Sequence, residues 1–305
     1  MPSIIVPARN NQAFTSTCLG SILFAVSRLN LACEFILIDD ASEEGENIIE
    51  VFKQHRANAI AHHCKIVRSR KHQHYSGVFS IGLHLSTRDV IFFISNDMLV
   101  TPSFLEALLL VSSLSRDIGI VRGTSNYTDS HPEHQVEPPD PVKTYPDVEN
   151  FSRNQFNLKT CTYVEDNLLS GDAVLVKRSL VERIGVLDLR FFGYFGDVDY
   201  GLRTQLAGFK LVCAKGAWLY HEGAGHVKRQ LERDKQAKFE DLYAKRMALV
   251  EAAYQEFRSK WHIDGPPSCA GLRSAEFVPK ALANGNRVAL KCDFSPAVMD
   301  DVEFF

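Results

Sequence analysis

A carboxylate follows an apolar run near the end of the first hundred residues. The run Val90–Ile94 contains β-branched and aromatic residues, which is typical of a buried strand. The polar triplet Ser95-Asn96-Asp97 comes directly after it. An aspartate in this place often caps the next turn, but its carboxylate is also a hard oxygen ligand that suits Mn²⁺ or Mg²⁺. Which of these interpretations applies to Asp97 depends on the polar groups that meet it.

Three further ionisable groups occur in similar settings. Asp197 and Asp199 follow the aromatic and glycine-rich turn 191–196, at the predicted start of a helix. One carboxylate is enough to complement the helix dipole, so the other can act as a base at the rim of a cleft. His221 ends an apolar run and precedes a glycine-rich loop. Taken alone, such a histidine is as often structural as functional.

The elements that must position these groups alternate between strand and helix. Apolar, β-branched segments at 3–6, 34–38, 64–67 and 90–94 predict strands, and helical periodicity at 11–29, 76–85 and 103–113 predicts helices between and after them. This alternation favours a parallel, doubly wound sheet. Ligands of such sheets bind at the carboxyl ends of the strands. The side chains expected there are Pro7, Asp39, Asp40 and Asp97.

Two later segments differ from this pattern. Residues 126–156 are rich in Pro, His, Asp and Glu, and four prolines (Pro138, Pro139, Pro141 and Pro146) predict an irregular surface loop that acts as a lid. Residues 227–261 have the pattern of a long charged helix, and the tail after Gly265 has weak periodicity.

Composition excludes several classes of protein. The formal net charge of −3 gives no general attraction to nucleic acid. Seven scattered cysteines without a C-x-x-C pair argue against a zinc cluster or a disulfide framework and predict reduced thiols in the cytosol. The N-terminus lacks the pattern of a signal peptide, and no apolar run approaches 18 residues.

Seven short segments follow one another in a recognisable order: IIVPARN (4–10), ILIDDAS (36–42), YSGVFSIGL (75–83), ISND (94–97), LSGDAVLVK (169–177), YFGDVDYGLR (194–203) and YH (220–221). Together they resemble the motifs of the inverting family 2 glycosyltransferases, in particular rhamnosyltransferase-like members. The resemblance covers about residues 3–225. It implies an α/β protein with the GT-A fold, that is, a Rossmann-like, mostly parallel sheet flanked by helices, with a C-terminal helical extension.

The resemblance also implies roles for individual residues. Asp97 and His221 would hold Mn²⁺ or Mg²⁺ against the diphosphate of the donor, and Asp197 would be the catalytic base. Gly171, Asp172 and Asp199 would line the acceptor site, with Asp172 as the second choice of base, although the position of Asp199 also predicts that it caps the helix or pairs with Arg203 at i+4. The donor would be contacted by the nucleotide-binding residues Pro7, Arg9, Asn10, Asp39, Arg70, Gly77 and Asn96.

Some of these residues have an interpretation of their own. The carboxylate of Asp39 can accept the imide N–H of uracil or thymine. Arg9 can stack on a base through its guanidinium plane or pair with Asp40. Arg70 belongs to the basic run 65–74, of which most is expected to be a solvated loop.

Two positions depart from the motifs of the family. Ser95 stands where the metal motif usually begins with an acidic residue, and Gly196 replaces the usual Glu before the base. These changes favour, as an alternative, a catalytically inactive GT-A module that binds nucleotide or acts as a scaffold. A nucleotidyltransferase is the third reading, but residues 7–12 lack the glycine-rich phosphate loop that it needs.

We therefore predict a catalytic domain at 1–226, with a nucleotide-binding half at 1–100 and an acceptor half at 101–226, and a C-terminal helix and tail at 227–305. The expected donor is a UDP- or dTDP-linked sugar, and the acceptor a glycan, lipid-linked or protein-linked substrate. No nucleic acid partner is expected. The C-terminal helix would pack on the catalytic domain, pair two protomers or contact a membrane surface. The expected location is cytoplasmic, including the inner face of the membrane.

Overall fold

The first half of the chain alternates strands and helices as predicted. The structure is a computed structural model that describes residues 1–58, 63–128, 132–223, 238–265, 268 and 274–305. The elements up to residue 94 are β1 (Ser3–Ala8), α1 (Gln12–Arg28), β2 (Glu34–Asp40), α2 (Ile48–Asn58), β3 (His63–Ser69), α3 (His74–Leu85) and β4 (Val90–Ile94). Every residue of β2 is buried, as expected for a parallel strand that is covered on both faces.

The second half is less regular in its alternation. Its strands are β5 (Met98–Leu99), β6 (Ile118–Ser125), β7 (Tyr163–Glu165), β8 (Ala173–Lys177), β9 (Lys210–His221) and β10 (Val302–Phe304). Its helices are α4 (Pro102–Ser113), α5 (Tyr145–Lys159), α6 (Arg178–Ile184), α7 (Gly196–Leu206), α8 (Phe239–Trp261) and α9 (Ser274–Ala283). Short 3₁₀ turns lie at Pro132–His134, Gly285–Arg287 and Pro296–Asp301.

One central sheet joins the two halves, with strand order β10-β3-β2-β1-β4-β8-β6-β9-β5 and β7 paired to β9. The strands β3, β2, β1 and β4 are parallel, which confirms the doubly wound first half. Beyond β4, β8 pairs antiparallel with both β4 and β6, whereas β6 pairs parallel with β9. The sheet is therefore mixed, and β8 brings the acceptor half back against the nucleotide-binding half.

Helices cover both faces of the sheet. One face buries α1, α2 and α4 against the sheet, and the other buries α3, α6 and α7. A third apolar cluster joins α7 to the C-terminal helices α8 and α9 through Phe191, Leu202, Phe257 and Trp261. No described helix is long and apolar enough to cross a membrane. No disulfide joins the cysteines of the described segments.

Three segment predictions need correction. The expected irregular loop ends at Thr144, because Thr144 and Asp147 form a capping box that starts α5, and Pro146 fits the first turn of that helix. The predicted helix at 227–261 is observed from Phe239, and residues 227–237 lie outside the described segments. The tail contributes α9 and the edge strand β10, which pairs antiparallel with β3.

Candidate functional site

The pairing of β5 with β9 brings two predicted metal ligands together. Met98 lies opposite His221 in this antiparallel pair, and the N–H of Glu222 donates to the carbonyl of Asp97 over 3.1 Å. Nε2 of His221 consequently lies 3.4 Å from Oδ2 of Asp97. A short strand after the Ser95-Asn96-Asp97 turn thus places an imidazole nitrogen beside a carboxylate oxygen.

The surroundings of His221 fix the orientation of its ring. Nδ1 lies 3.2 Å from the carbonyl of Tyr127, to which it donates, so Nε2 is the nitrogen that faces Asp97. The side chain of Asn126 makes two hydrogen bonds to the His221 backbone. Burial lowers the pKa of His221, but the hydrogen bond and the charge of Asp97 outweigh it, so that the pKa is raised. This pair suits a hard divalent cation such as Mn²⁺ or Mg²⁺.

The other two residues of the triplet, Ser95 and Asn96, are hydrogen-bonded to other parts of the chain. The amide of Asn96 donates to Oγ1 of Thr15 on α1 over 2.9 Å. The N–H of Ser95 donates to the carbonyl of Asp172 over 2.8 Å. The latter bond ties the turn that carries Asp97 to the segment just before β8.

The end of β2 forms the predicted nucleotide side. Asp39 is buried, with 1% of its surface exposed. Its Oδ1 accepts the N–H of Ser42 over 3.0 Å, and its Oδ2 lies 3.4 Å from Nε of Arg68. Asp40 accepts hydrogen bonds from His72 and from the N–H of Gln73, both at 2.6 Å. Two carboxylates therefore shape the turn after β2, and a guanidinium lies beside the first.

Arg9 and Asn10 pack on the same turn from the end of β1. Nη1 of Arg9 donates to the backbone carbonyls of Asp40 and Ala41 at 3.1 and 3.2 Å, so it contacts the backbone of Asp40 and not its carboxylate. Asn10 accepts the N–H of Glu43 through its side chain and has a positive φ of 59°. Pro7 lies opposite Ile38 in the parallel pair of β1 and β2.

Two predicted donor contacts have other partners in the structure. Nε of Arg70 lies 2.7 Å from Glu303 on the edge strand β10, and 60% of the Arg70 side chain is exposed. In the part of the chain that the structure describes, Arg70 contacts the C-terminal residues Glu303 and Asp301. Its assignment to the donor stays a prediction. Gly77 is buried inside α3, where a Cβ atom would lie 2.6 Å from Cβ of Gln73. Packing in the first turn of α3 explains this glycine.

Asp197 lies in the first turn of α7. The residue before this helix, Phe195, has a positive φ of 63°, and the Asp197 carboxylate accepts the N–H of Val198 over 2.9 Å. Burial, and then the charge of Asp172, raise the pKa of Asp197 to about 6, although the N–H groups of Val198 and Gly171 act in the opposite direction. A carboxylate with such a pKa accepts a proton readily near neutral pH.

Gly171 lies in close contact with α3. A Cβ atom at this position would lie 1.6 Å from the hydroxyl oxygen of Tyr75 and 3.5 Å from Cβ of Asp197. Asp172 follows, and its charge raises the pKa of both Asp197 and His221. The segment 171–172 is thus in contact with both predicted parts of the chemistry: the carbonyl of Asp172 accepts the N–H of Ser95 near Asp97, and Gly171 lies beside Asp197.

The prediction that Asp199 binds the acceptor is wrong. Asp199 is fully buried, with 0% of its surface exposed. Its Oδ2 accepts Nε of Arg203 over 2.8 Å, and its Oδ1 lies 2.6 Å from Nζ of Lys260 and accepts Nε1 of Trp261 over 3.0 Å. The aspartate two residues from Asp197 is therefore a structural anchor, as the i, i+4 spacing to Arg203 indicates.

A second group of metal-ligating side chains lies elsewhere. His134, Asp166 and Cys213 are buried, and their ligand atoms lie within 4.8 Å of one another, so they could hold a metal ion. In the structure, however, Nε2 of His134 lies 2.7 Å from Asp166 and Nδ1 lies 2.9 Å from Nζ of Lys215. Because both nitrogens have protein partners, we interpret the group as a hydrogen-bonded link between the 3₁₀ turn Pro132–His134 and strands β7 and β9.

Three residues around Asp197 were not predicted from the sequence. Tyr75 belongs to the motif YSGVFSIGL, and its hydroxyl is buried without a hydrogen-bond partner beside Gly171. Asp188 and Lys260 are ion-paired at 2.9 Å, although they are distant in sequence. An isolated lysine in a charged helix carries no local signal that it is buried.

The chain is similar to known glycosyltransferases in sequence and in fold. The model of a family described as Glycosyl transferase family 2 matches residues 3–185. A mannosyltransferase from Pyrobaculum calidifontis, in complex with GDP-Man and Mn²⁺, has a TM-score of 0.55 and 14% identity, over 94% of this chain and 73% of its own. GalNAc-T7 with UDP, GalNAc and Mn²⁺ has a TM-score of 0.54 and 14% identity, over 72% of this chain and 43% of its own. No curated protein matches the sequence significantly.

The two kinds of comparison support different statements. At 14% identity the solved structures establish the fold, which is the mixed α/β GT-A fold. The family model covers more than half of the chain, from β1 to the end of α6, and leaves the segment that carries Asp197 outside the matched residues. The chain therefore belongs to glycosyltransferase family 2.

Proposed function

We propose that the protein is an inverting glycosyltransferase that transfers a hexose from a nucleotide-sugar with the help of a divalent cation. The observation that carries the proposal is the contact of the segment 171–172 with both groups: Asp172 is hydrogen-bonded to the turn that carries Asp97, which pairs with His221, and Gly171 lies beside Asp197. A metal-ligand pair near a base of raised pKa supports a single displacement at an anomeric carbon.

The base of the donor would contact the turn after β2. The buried carboxylate of Asp39 can accept an imide N–H, which uracil and thymine both offer. Arg9 and Asn10 close the same turn from β1. A UDP- or dTDP-linked sugar is therefore the proposed donor, and GDP-sugars belong in the test panel because the P. calidifontis structure contains GDP-Man.

Asp97 and His221 would hold Mn²⁺ or Mg²⁺. The donor set of one carboxylate oxygen and one imidazole nitrogen fits either ion, and the ion, when bound, neutralises the leaving diphosphate as a Lewis acid. The hydrogen bond from Nδ1 of His221 to the Tyr127 carbonyl keeps Nε2 available for the ion.

Asp197 would then take the proton of the acceptor hydroxyl. As the hydroxyl oxygen forms a bond to the anomeric carbon, the bond from that carbon to the diphosphate oxygen breaks, and the proton moves to the Asp197 carboxylate. Attack from the face opposite the leaving group inverts the configuration. Asp172 is the competing base, because it lies in the same cleft and follows Gly171.

The catalytically inactive module remains the second candidate. Ser95 and Gly196 favour it, since they remove carboxylates that the motifs usually contain. The experiment that separates the two is a screen of UDP-, dTDP- and GDP-sugars with Mn²⁺, in which release of the nucleoside diphosphate is measured. Release with at least one donor supports the enzyme, whereas titratable nucleotide binding without release from any donor supports the inactive module.

The acceptor and the surroundings of the enzyme complete the proposal. We propose a glycan, lipid-linked or protein-linked acceptor, in the manner of rhamnosyltransferase-like members of the family. A cytoplasmic location, with a homodimer or a peripheral membrane contact through the C-terminal helix, stays a prediction, as does the domain boundary at residue 226.

A further inference from the structure

The segment that carries the base is held at both ends from the C-terminal helix α8. We define the base loop as residues 189–196, which connect Asp188 to the first turn of α7. Nζ of Lys260 on α8 lies 2.9 Å from Oδ2 of Asp188 and 2.6 Å from Oδ1 of Asp199. One buried ammonium group therefore pairs with a carboxylate on each side of the base loop and of Asp197.

This contact is shielded from solvent. Only 5% of the Lys260 side chain is exposed, and the carboxylates of Asp188 and Asp199 are 10% and 0% exposed. Three charges in such a place are costly unless each is paired. Arg190 pairs with Asp188 at 2.6 Å and Arg203 pairs with Asp199 at 2.8 Å, and Asp199 also accepts Nε1 of Trp261.

Aromatic packing reinforces the same attachment. Phe195, which precedes Asp197 with a positive φ, packs against Tyr254 and Phe257 of α8 with ring centroids 5.7 and 5.1 Å apart. The ammonium of Lys260 also lies 5.5 Å from the centroid of the Phe191 ring. The base loop therefore packs on α8 along its length as well as at its ends.

The opposite side of the base loop is attached to the nucleotide-binding half. The N–H of Ser76 on α3 donates to the carbonyl of Phe192 over 3.0 Å, and the Ser76 hydroxyl donates to the carbonyl of Phe191. The loop is thus clamped between α3 and α8. Of these two supports, α8 lies entirely outside the residues that the family model matches.

We propose that Lys260 is a positioning residue for Asp197, and that α8 is through Lys260 a required part of the active site. This inference rests on the proposed role of Asp197 as the base. Lys260 touches no substrate; it sets the distance between Asp188 and Asp199, and hence the place of the carboxylate between them. A shift of about 1 Å in a catalytic group is enough to lower turnover by about 100-fold.

The test compares four full-length proteins: the wild type, Lys260→Met, Lys260→Arg and Lys245→Met. Lys245→Met is the matched control, because Lys245 is exposed on the same helix. We expect Lys260→Met to raise amide hydrogen exchange in peptides covering 189–198 and to lower kcat about 10- to 100-fold. The Kd for UDP should stay within about twofold, because the nucleotide side does not contact α8. Lys260→Arg should restore exchange and kcat, and Lys245→Met should behave as the wild type.

A milder variant covers the case in which Lys260→Met fails to fold. Asp188→Asn removes one charge at the start of the base loop and leaves Lys260 paired to Asp199, and the same readouts then apply. Unchanged exchange and kcat in whichever variant folds would overturn the proposal, as would a parallel loss of UDP affinity. If the wild-type protein transfers no sugar, the proposed function is refuted. Hydrogen exchange needs no sugar donor, so it still tests whether Lys260 holds the base loop in place.

Discussion

Nε2 of His221 lies 3.4 Å from Oδ2 of Asp97, at the end of an antiparallel pair between a two-residue strand and a twelve-residue strand. The two residues come from opposite halves of the chain. Their proximity depends on the position of β5 at the edge of the sheet, beside β9. This relationship makes the proposed metal site a property of the tertiary structure.

Substitution of either partner should abolish tight Mn²⁺ binding. We expect Asp97→Asn and His221→Asn each to weaken Mn²⁺ affinity in the presence of UDP by more than about 10-fold, because each removes one of two protein ligands. Isothermal titration with Mn²⁺ is the measurement. His134→Asn is the matched control, since it alters the other histidine-containing group. Loss of Mn²⁺ in the control alone would move the metal to His134, Asp166 and Cys213.

Nucleotide affinity should depend on Asp39. Asp39→Ala leaves the base N–H unpaired and is expected to weaken UDP binding by about 1–3 kcal/mol. Asp39→Asn removes the negative charge but keeps a carbonyl that can still accept the Ser42 N–H. The variant therefore separates the contribution of the charge to UDP affinity from that of the local structure. It should therefore lose less affinity than the alanine variant. Equal UDP affinity in all three proteins, measured by titration calorimetry, would refute the assignment.

The contact between Gly171 and Tyr75 should tolerate no side chain. In Gly171→Ala the new methyl group would collide with the Tyr75 hydroxyl, and overpacking of this kind costs about 1–3 kcal/mol of unfolding free energy. Because Gly171 also lies beside Asp197, transfer should fall more than UDP binding. Gly193→Ala is the control in the base loop, where an added Cβ meets nothing within 4 Å. Similar melting temperatures and rates for both variants would contradict this account of the site.

Activity and stability should respond to pH in opposite directions through Asp197. A base must be deprotonated, so the transfer rate should rise with pH through about 6, the raised pKa of Asp197. In the unfolded chain this carboxyl loses its proton at a lower pH. Between that lower pKa and about 6, the native state keeps a proton that the unfolded chain has lost, so the free energy of unfolding falls as pH rises. Asp197→Asn should therefore melt at a higher temperature than the wild type at pH 7.5. A lower melting temperature would show that the charged carboxylate is well stabilised in the fold.

The sequence was sufficient for the strands whose signals are local. The runs that become β1 to β4 are apolar, end in polar residues and alternate with helical periodicity, so both their existence and their parallel order follow from pattern. Asp39, Asp97 and His221 could be proposed as site residues because each lies at or just after the end of an apolar strand, namely β2, β4 and β9. The link from Asp97 to Asp172 additionally required the antiparallel strand β8, which no local pattern distinguishes from a parallel one.

The errors have both tertiary and local causes. The spacing of Asp199 to Arg203 indicated an ion pair, but its complete burial follows from the packing of α8, which places Lys260 and Trp261 beside it. Prolines at 138–146 indicated a loop, but Pro146 lies in the first turn of α5, where an N–H group has no intrahelical partner. Arg70 looked available for a phosphate, yet Glu303 reaches it from the C-terminal edge strand.

The central claim is that Asp197 takes the proton of the acceptor in a cleft where Asp97 and His221 hold the metal. The most direct measurement is the rate of sugar transfer by Asp197→Asn beside Asp172→Asn and the wild type, at saturating Mn²⁺ and the donor identified in the screen. We expect Asp197→Asn to keep the wild-type Kd for UDP and to transfer sugar about 10²–10⁴-fold more slowly than the wild type. Asp172→Asn should keep the larger share of activity. Transfer at a near wild-type rate by Asp197→Asn, with loss in Asp172→Asn, would contradict it and make Asp172 the base.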